Sequence, residues 1–312
     1  MKEAYVHGYD PRENIRLQDQ AETLVELLHS DTFYSEGSLV LEAGCGVGAQ
    51  TVTLAKNSPG ASIVSVDISD ISVKQAEEKV RDAGFTNVQF RQGDIFNLPF
   101  APQTFDHVFV CFVLEHLNDP VLALKTLKTY LKFNGTITVI EGDHGSTYFY
   151  PDSEAAHSAI DCQVALQARA GGNALIGRAL YPLLTSAGYN SVKVSPRMVY
   201  VDASKPALVD GFTRKTFTAM IEGVRHSAIT NNIIDPDTFD KGIEDLYRTT
   251  EADGDLCKVG ISPFRRDKAC LVSCFPRSSW ERFGLTLLIF QKMIAAIKNW
   301  ISGFPFTSPA LQ

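Results

Sequence analysis

The stretch Val40-Leu41-Glu42-Ala43-Gly44-Cys45-Gly46-Val47-Gly48-Ala49-Gln50 reads as a strand, a glycine-rich turn and the opening of a helix. The glycines allow backbone conformations closed to other residues and let a ligand approach the main chain closely. The spacing is G-x-G-x-G. It is neither the G-x-G-x-x-G of dinucleotide folds nor a phosphate loop followed by Lys-Ser/Thr. In open α/β sheets, ligands sit at the carboxyl ends of the strands.

Outward from this turn, apolar runs alternate with helical patterns. Ala61–Val66 is a β-branched run ending at Asp67, and Asp70–Ala83 has helical spacing with Gly84 as its stop. Val88–Arg91 leads into Gly93-Asp94. Phe105–Val113 is continuously apolar, which suits a strand buried on both faces. Pro120–Leu131 reads as a helix with Pro near its first turn, and Thr136–Ile140 as a fifth strand entered through Asn134-Gly135. This rhythm predicts an α/β fold with a parallel sheet and helices on both faces. Beyond it, Asp152–Ala170, Ala174–Ala187, Pro206–Ala228 and Pro236–Ala252 read as helices and Ser191–Val201 as a strand. Asp152 or Ser153 can cap the first of these.

Two acids follow the glycine turn at successive strand ends. Asp67 stands about twenty residues on, where a carboxylate accepts ribose hydroxyls. Asp94, followed by Ile95, stands where a carboxylate can receive an adenine amine. Each alone has a blander reading as a turn or cap residue. Together they outline a nucleoside pocket.

On these motifs the chain resembles the class I S-adenosylmethionine-dependent methyltransferases, most closely the ubiquinone/menaquinone-biosynthesis-like small-molecule type. The core motifs cover about residues 38–143, with matching layout to about residue 200. Tyr5-Val6-His7-Gly8-Tyr9, Arg16–Ala21 and Ile140–Ser146 look like a subgroup of archaea and fungi. The resemblance implies a Rossmann-like, doubly wound, mostly parallel seven-stranded sheet with helical cap insertions. It divides the chain into an N-terminal lid and helix (1–37), a core (38–202, with a cap insertion at 143–173), a helical cap (203–256) and a basic extension (257–312).

It also implies residue roles. Glu42, Gly44 and Gly46 would hold the methionine part of the cofactor, Asp67 the ribose, and Asp94 with Ile95 the adenine. Cys111, Phe112 and Val113 would line the floor, with Gln50 and Ile68 completing the set. The family's Leu-Lys-Pro-Gly-Gly turn stands here as Leu131-Lys132-Phe133-Asn134-Gly135. Asn accepts left-handed conformations better than most residues.

Methyl transfer from a sulfonium needs alignment and exclusion of water, together worth roughly 7–11 kcal/mol. A hydroxyl acceptor also needs a base, and His suits neutral pH. His144, after the fifth strand, is the leading candidate, with His116 beside Glu115 as the alternative. Tyr5, His7 and Tyr9 read as a lid. Arg178, Tyr181, Arg197 and Tyr200 are candidate substrate contacts.

Charge divides the chain unevenly. Residues 257–312 carry eight Lys/Arg and two acids, or +6; the whole chain is −7, so residues 1–256 carry −13. An acidic body argues against nucleic acid as a partner and favours a small-molecule acceptor. The cysteines show no metal spacing and fit reduced, cytoplasmic thiols. The N-terminus shows no signal peptide. The tail does not read as a transmembrane span. Residues 283–304 could form an interfacial helix or dock on the body, and the abrupt change in composition also fits a stretch foreign to the working enzyme. The seventh strand is not legible in Lys258–Arg266, and Lys268–Phe275 is a possible substitute. A methyltransferase-fold scaffold without turnover is the rival reading, and a nicotinamide-dependent dehydrogenase is disfavoured by the glycine spacing.

Overall fold

The computed structural model describes residues 23–251 and 253–262. The chain divides into two units, Met1–Arg266 and Asp267–Gln312, and the second lies wholly outside the described residues. Tyr5, His7 and Tyr9, the 283–304 helix pattern and the Lys268–Phe275 strand reading lie outside them as well.

The strands are β1 (Leu39–Ala43), β2 (Ser62–Asp67), β3 (Val88–Gln92), β4 (Phe105–Cys111), β5 (Leu131–Tyr150), β6 (Ser195–Asp202) and β7 (Asp255–Ser262). They form one sheet in the order β3-β2-β1-β4-β5-β7-β6. β3, β2, β1, β4 and β5 pair in parallel, and β7 is antiparallel to both its neighbours. This is the expected α/β, Rossmann-like, doubly wound sheet. The chain winds outward from β1 through β2 and β3, then returns to β4 on the other side of β1. That reversal opens a crevice at the carboxyl ends of β1 and β4.

The helices are α1 (residues 23–29), α2 (Thr51–Asn57), α3 (Asp70–Asp82), α4 (Pro120–Tyr130), α5 (Glu154–Arg169) and α6 (Leu180–Ser186). The second cap region holds α7 (Pro206–Leu208), α8 (Ala219–Gly223), α9 (Arg225–Thr230) and α10 (Pro236–Arg248). Local chemistry sets several of their ends. The Asp119, Ser153 and Asp235 side chains accept the backbone N–H of Leu122, Ala156 and Thr238. Pro120 and Pro236 occupy first-turn positions, where no N–H is needed. Gly84, at φ +81°, ends α3.

Two apolar clusters cover the sheet. One, around Leu41, Val66, Val108, Leu124, Leu127 and Ile176, seals the α4–α6 face. The other, around Val40, Leu54, Phe109, Ile140, Phe217, Phe239 and Leu246, joins the sheet to the cap helices. Gly242 of α10 makes the α5–α10 contact possible, since a Cβ there would lie 2.4 Å from the Ala155 carbonyl oxygen.

Several readings are corrected. β7 begins at Asp255, so a strand occupies Lys258–Ser262 where none was legible, and it crosses the 256/257 boundary. Cys257, Val259 and Ile261 do alternate with Lys258, Gly260 and Ser262, but the strand is short and Pro263-Phe264-Arg265-Arg266 directly after it breaks the pattern. The segment from residue 143 begins as strand: β5 continues to Tyr150, and helix α5 starts only at Glu154. The 174–187 helix is a 3₁₀ turn (Ile176–Ala179) running into the short α6. The single helix expected over 206–228 is broken, with a π-helical stretch at Val209–Thr218 followed by α8 and α9.

Candidate active site

The glycine turn is built as its spacing requires. Gly44, Gly46 and Gly48 have φ of +82°, +52° and +76°, values that cost other residues energy. Their surroundings differ. A Cβ on Gly44 would lie 2.4 Å from Val113 Cγ2, and one on Gly48 would lie 2.9 Å from Ala76 Cα. A Cβ on Gly46 would meet nothing within 4 Å. Two glycines therefore serve packing, and the third leaves open space over a bare backbone.

The β2 end is tied to that turn. The Gly46 and Ser69 N–H groups donate to Asp67 Oδ2 and Oδ1 at 2.8 and 2.9 Å. Burial pushes the Asp67 carboxyl upward against these bonds. The Gly93 N–H donates to the Asp67 carbonyl at 2.9 Å, which brings the Asp94 turn alongside. Asp94 is exposed and its Oδ1 accepts the Phe96 N–H at 2.9 Å. Ile68 is 61% exposed, a large apolar surface beside Asp67, and Ile95 is half-buried.

Glu42 lies beneath the turn. Thr51 Oγ1 and Ser65 Oγ donate to its Oε2 at 2.8 and 2.6 Å. Both bonds fall on one oxygen. Burial pushes this carboxyl up to about 7 despite the two donors. Gln50, expected to face the cofactor, is half-buried, and its Oε1 is 2.6 Å from His29 Nε2.

Beyond β4 the chain turns sharply. Phe112 adopts φ +55°, and its N–H donates to the Ile140 carbonyl at 2.9 Å. Strain of this kind concentrates at functional sites. The next two N–H groups, of Val113 and Leu114, donate to Glu141 Oε1 at 3.0 and 2.8 Å. Glu141 is fully buried, and its Oε2 has no hydrogen-bond partner. Burial, reinforced by the nearby Glu115 charge, raises its carboxyl well above the ordinary range. Cys111 is buried in the same floor.

His144 is placed by a bulge. Gly142 pairs with Gly260 and Thr147 with Lys258, so residues 143–146 stand opposite Val259 alone. Bulges re-aim side chains beside active sites. The His144 N–H leaves the β7 ladder and donates to the Ala174 carbonyl at 3.0 Å. Its imidazole is buried, with Nε2 at 3.6 Å from Glu115 Oε2. A Cβ on Gly142 would lie 3.7 Å from His144 Nε2 and 4.0 Å from Phe112 Cε1, so this ring adjoins the expected cofactor floor. His116 Nε2 lies 3.7 Å from the other Glu115 oxygen. From α5, Gln167 Nε2 donates to the Glu115 carbonyl and Oε2 at 3.0 and 3.2 Å.

The structure brings Gly44, Val113, Phe112 and His144 into one chain of neighbours and leaves other candidates aside. Arg178 forks onto buried Asp143, with Nε and Nη2 donating at 2.8 Å. Arg197 donates to the Leu27 and Leu28 carbonyls and to Asp31, so it clasps β6 to α1. Tyr181 and Tyr200 are exposed at 56% and 41%. Glu141, Gln167 and His29 were given no role by the sequence reading. The one available signal was a charge, Glu141, ending an apolar strand run.

A model described as "Methyltransferase domain" matches residues 35–188. The chain is 31% identical over 211 residues to an uncharacterized methyltransferase (C1B3.06c) of Schizosaccharomyces pombe, covering 65% of this chain and 73% of that protein. It is also 31% identical over 135 residues to the demethylmenaquinone methyltransferase of Staphylococcus carnosus, covering 43% of this chain and only 55% of that protein. Among solved structures, phosphoethanolamine N-methyltransferase 2 of Haemonchus contortus is 16% identical, with TM-score 0.49 over 82% of this chain and 59% of that one. An S-adenosylmethionine-dependent methyltransferase of Aquifex aeolicus is 16% identical, with TM-score 0.41 over 81% and 93%.

The sheet order, the glycine turn and the Schizosaccharomyces relative define the class: this chain belongs to the methyltransferase family. It is of the class I type, whose methyl donor is S-adenosylmethionine. The residues present fit that cofactor, with open space over Gly46, a carboxylate at the β2 end and an exposed apolar side chain beside it.

Proposed function

We propose that this protein methylates a small molecule at oxygen or nitrogen, with His144 as its general base. The observation that carries this reading is the bulge that sets buried His144 beside Gly142, which Phe112 of the expected floor also borders. When bound, the cofactor supplies an electrophilic methyl on a sulfonium, and sulfur keeps the electron pair of the broken S–CH3 bond. The chain's own residues do the rest. Glu42 and the Gly44–Gly46 backbone would hold the methionine portion, Asp67 the ribose, Asp94 and Ile95 the adenine, with Gln50, Ile68 and Cys111–Val113 around it. In this reading the α5 and α7–α10 helices would cover the acceptor and keep water out. His144 would take the acceptor's proton. His116, Tyr5, Tyr9, Arg178 and Tyr181 complete the proposed acceptor surroundings, with Arg178 acting through Asp143.

The cytoplasmic setting rests on the cysteines, which show no metal spacing, and the natural-product setting on resemblance to the archaeal and fungal subgroup. Among the described residues no helix is long and apolar enough to cross a membrane. Interfacial contact by 283–304 remains part of the proposal.

Two measurements test it. Calorimetry with S-adenosylhomocysteine should show saturable binding that Asp67→Ala abolishes. Metabolite profiles of a deletion strain and its parent should differ by a product one CH2 heavier in the parent. Binding without any such product would favour the non-enzymatic scaffold.

A further inference from the structure

The proposed base stands in a largely buried polar cluster, of which only His116 is partly exposed. Glu115 is buried and ends the β4 side of the crevice. Its Oε2 faces His144 Nε2 at 3.6 Å, and its Oε1 faces His116 Nε2 at 3.7 Å. Gln167 donates to the same Oε2, and Gln163 Nε2 donates to Gln167 Oε1 at 2.7 Å. Gln163 and Gln167 are themselves buried. A cap helix thus fixes the orientation of a carboxylate whose two oxygens reach two imidazoles. A lone buried carboxylate is costly. The cost falls when an adjacent imidazole carries positive charge.

The neighbours of His144 divide by element. Glu115 and His116 follow β4. Glu141 and Asp143 share its own strand, and Asp143 is neutralised by Arg178 from the 3₁₀ turn before α6. Glu141 accepts two backbone N–H groups through Oε1 and lies in the same buried region. Glu115 is the carboxylate within ion-pair range of His144 among the described residues.

We propose that Glu115 is a positioning residue that orients the His144 imidazole and compensates the charge it gains, and that the acceptor is accordingly a hydroxyl compound, a phenol or an alcohol. The proposal rests on the reading of His144 as base. The acceptor O–H bond breaks, its proton passes to a ring nitrogen of His144, and its electron pair stays on oxygen to form the O–CH3 bond. The imidazolium left behind is balanced by Glu115. A neutral amine would need no such pair before transfer.

The test uses the full chain with 13C-labelled histidines, the His144 signal being assigned with His144→Gln. The titration midpoint of His144 should fall by about one pH unit or more in Glu115→Gln, and Glu115→Asp should restore at least half of the shift. Binding of S-adenosylhomocysteine should stay within about twofold of wild type in both, since Glu115 is outside the cofactor set. An unchanged midpoint in Glu115→Gln overturns the proposal. If that variant does not fold, His116→Gln decides: with Glu115 left a single imidazole partner, the His144 midpoint should rise, and no change overturns the proposal. Loss of wild-type binding to S-adenosylhomocysteine would instead sink the methyltransferase reading. Full turnover in His144→Gln would remove the base role while leaving the measured coupling intact.

Discussion

The Gly46 amide donates to Asp67 Oδ2 over 2.8 Å, which joins the glycine turn after β1 to the end of β2. The bond holds a bare backbone and a carboxylate side by side across the crevice. It also separates the three glycines by role, since only Gly46 has open space where a side chain would stand.

Gly46→Ala should therefore cost about 1 kcal/mol in stability, the left-handed backbone penalty. The new methyl would occupy ligand space and weaken S-adenosylhomocysteine binding at least tenfold. Gly48→Ala should do more damage to the fold, about 3 kcal/mol, because its Cβ would press on the Ala76 backbone at 2.9 Å. Urea denaturation and calorimetry on both variants give the comparison. Wild-type affinity in Gly46→Ala would refute the assignment of that space to the cofactor.

Glu42 and His29 should tilt stability in opposite directions with pH. Burial raises Glu42 from 4.5 to about 7, so the folded chain binds an extra proton in that window and loses stability as pH rises through it. Burial lowers His29 from 6.5 to about 4, so the unfolded chain binds the extra proton and stability is lost as pH falls through that window. Each effect is on the order of 3 kcal/mol, and between the two windows' inner limits they largely cancel. Glu42→Gln should gain stability over wild type on going from pH 4.5 to 8. His29→Gln should gain on going from pH 6.5 to 4. Denaturation curves that run parallel to wild type at every pH would show that neither group titrates as described.

These two groups also mark the limits of what sequence can disclose. Strands β1, β2 and β4 were legible because apolar runs with glycine or acid punctuation coincide with near-complete burial, whereas β3, an exposed edge strand, was marked by the Gly93-Asp94 turn after it. Asn134 adopts the left-handed conformation its identity allowed, at φ +66°. The cofactor half of the site could be outlined for the same reason: its residues follow strand ends within a short span of sequence. For the acceptor half, His144 and His116 could be named, but how they are joined could not be read. Glu115, His144 and Gln167 come from three elements, and their meeting depends on a four-residue bulge and on how α5 crosses the sheet. The broken helix over 206–230 was hidden too, because a π turn keeps an amphipathic pattern while changing its hydrogen bonds.

Arg178 offers a direct contrast between support and recognition. Its guanidinium is about half exposed, whereas its partner Asp143 is buried and also accepts from Ser146 Oγ at 2.7 Å. Arg178→Ala leaves that carboxylate short of donors and should cost about 1–3 kcal/mol, the lower end applying where water reaches in. Arg178→Lys should recover only part, because an ammonium cannot fork onto both oxygens. Thermal denaturation reads the loss, and S-adenosylhomocysteine affinity should not move. A stable Arg178→Ala protein with weakened acceptor binding would return this residue to direct substrate contact.

Arg197 should govern a different part of the molecule, the attachment of α1. Its Nη1 donates to the Leu27 and Leu28 carbonyls at 2.8 Å, and its Nη2 reaches both Asp31 oxygens at 2.6 and 2.7 Å. Those carbonyls lie at the end of α1, where helical partners run out. The guanidinium is therefore a cap supplied from β6, and the next residue of α1, His29, contacts Gln50 at the glycine turn. Arg197→Ala removes the cap and the ion pair together. Amide hydrogen exchange over residues 23–31 should accelerate at least tenfold, while exchange in β1 and β4 stays slow because their burial does not depend on the clasp. Arg197→Lys should fall between, since one ammonium cannot serve two carbonyls and a carboxylate with the same geometry. Uniform acceleration across the sheet would mean that Arg197 supports the whole fold, and unchanged exchange in 23–31 would mean that α1 is held by its apolar face alone.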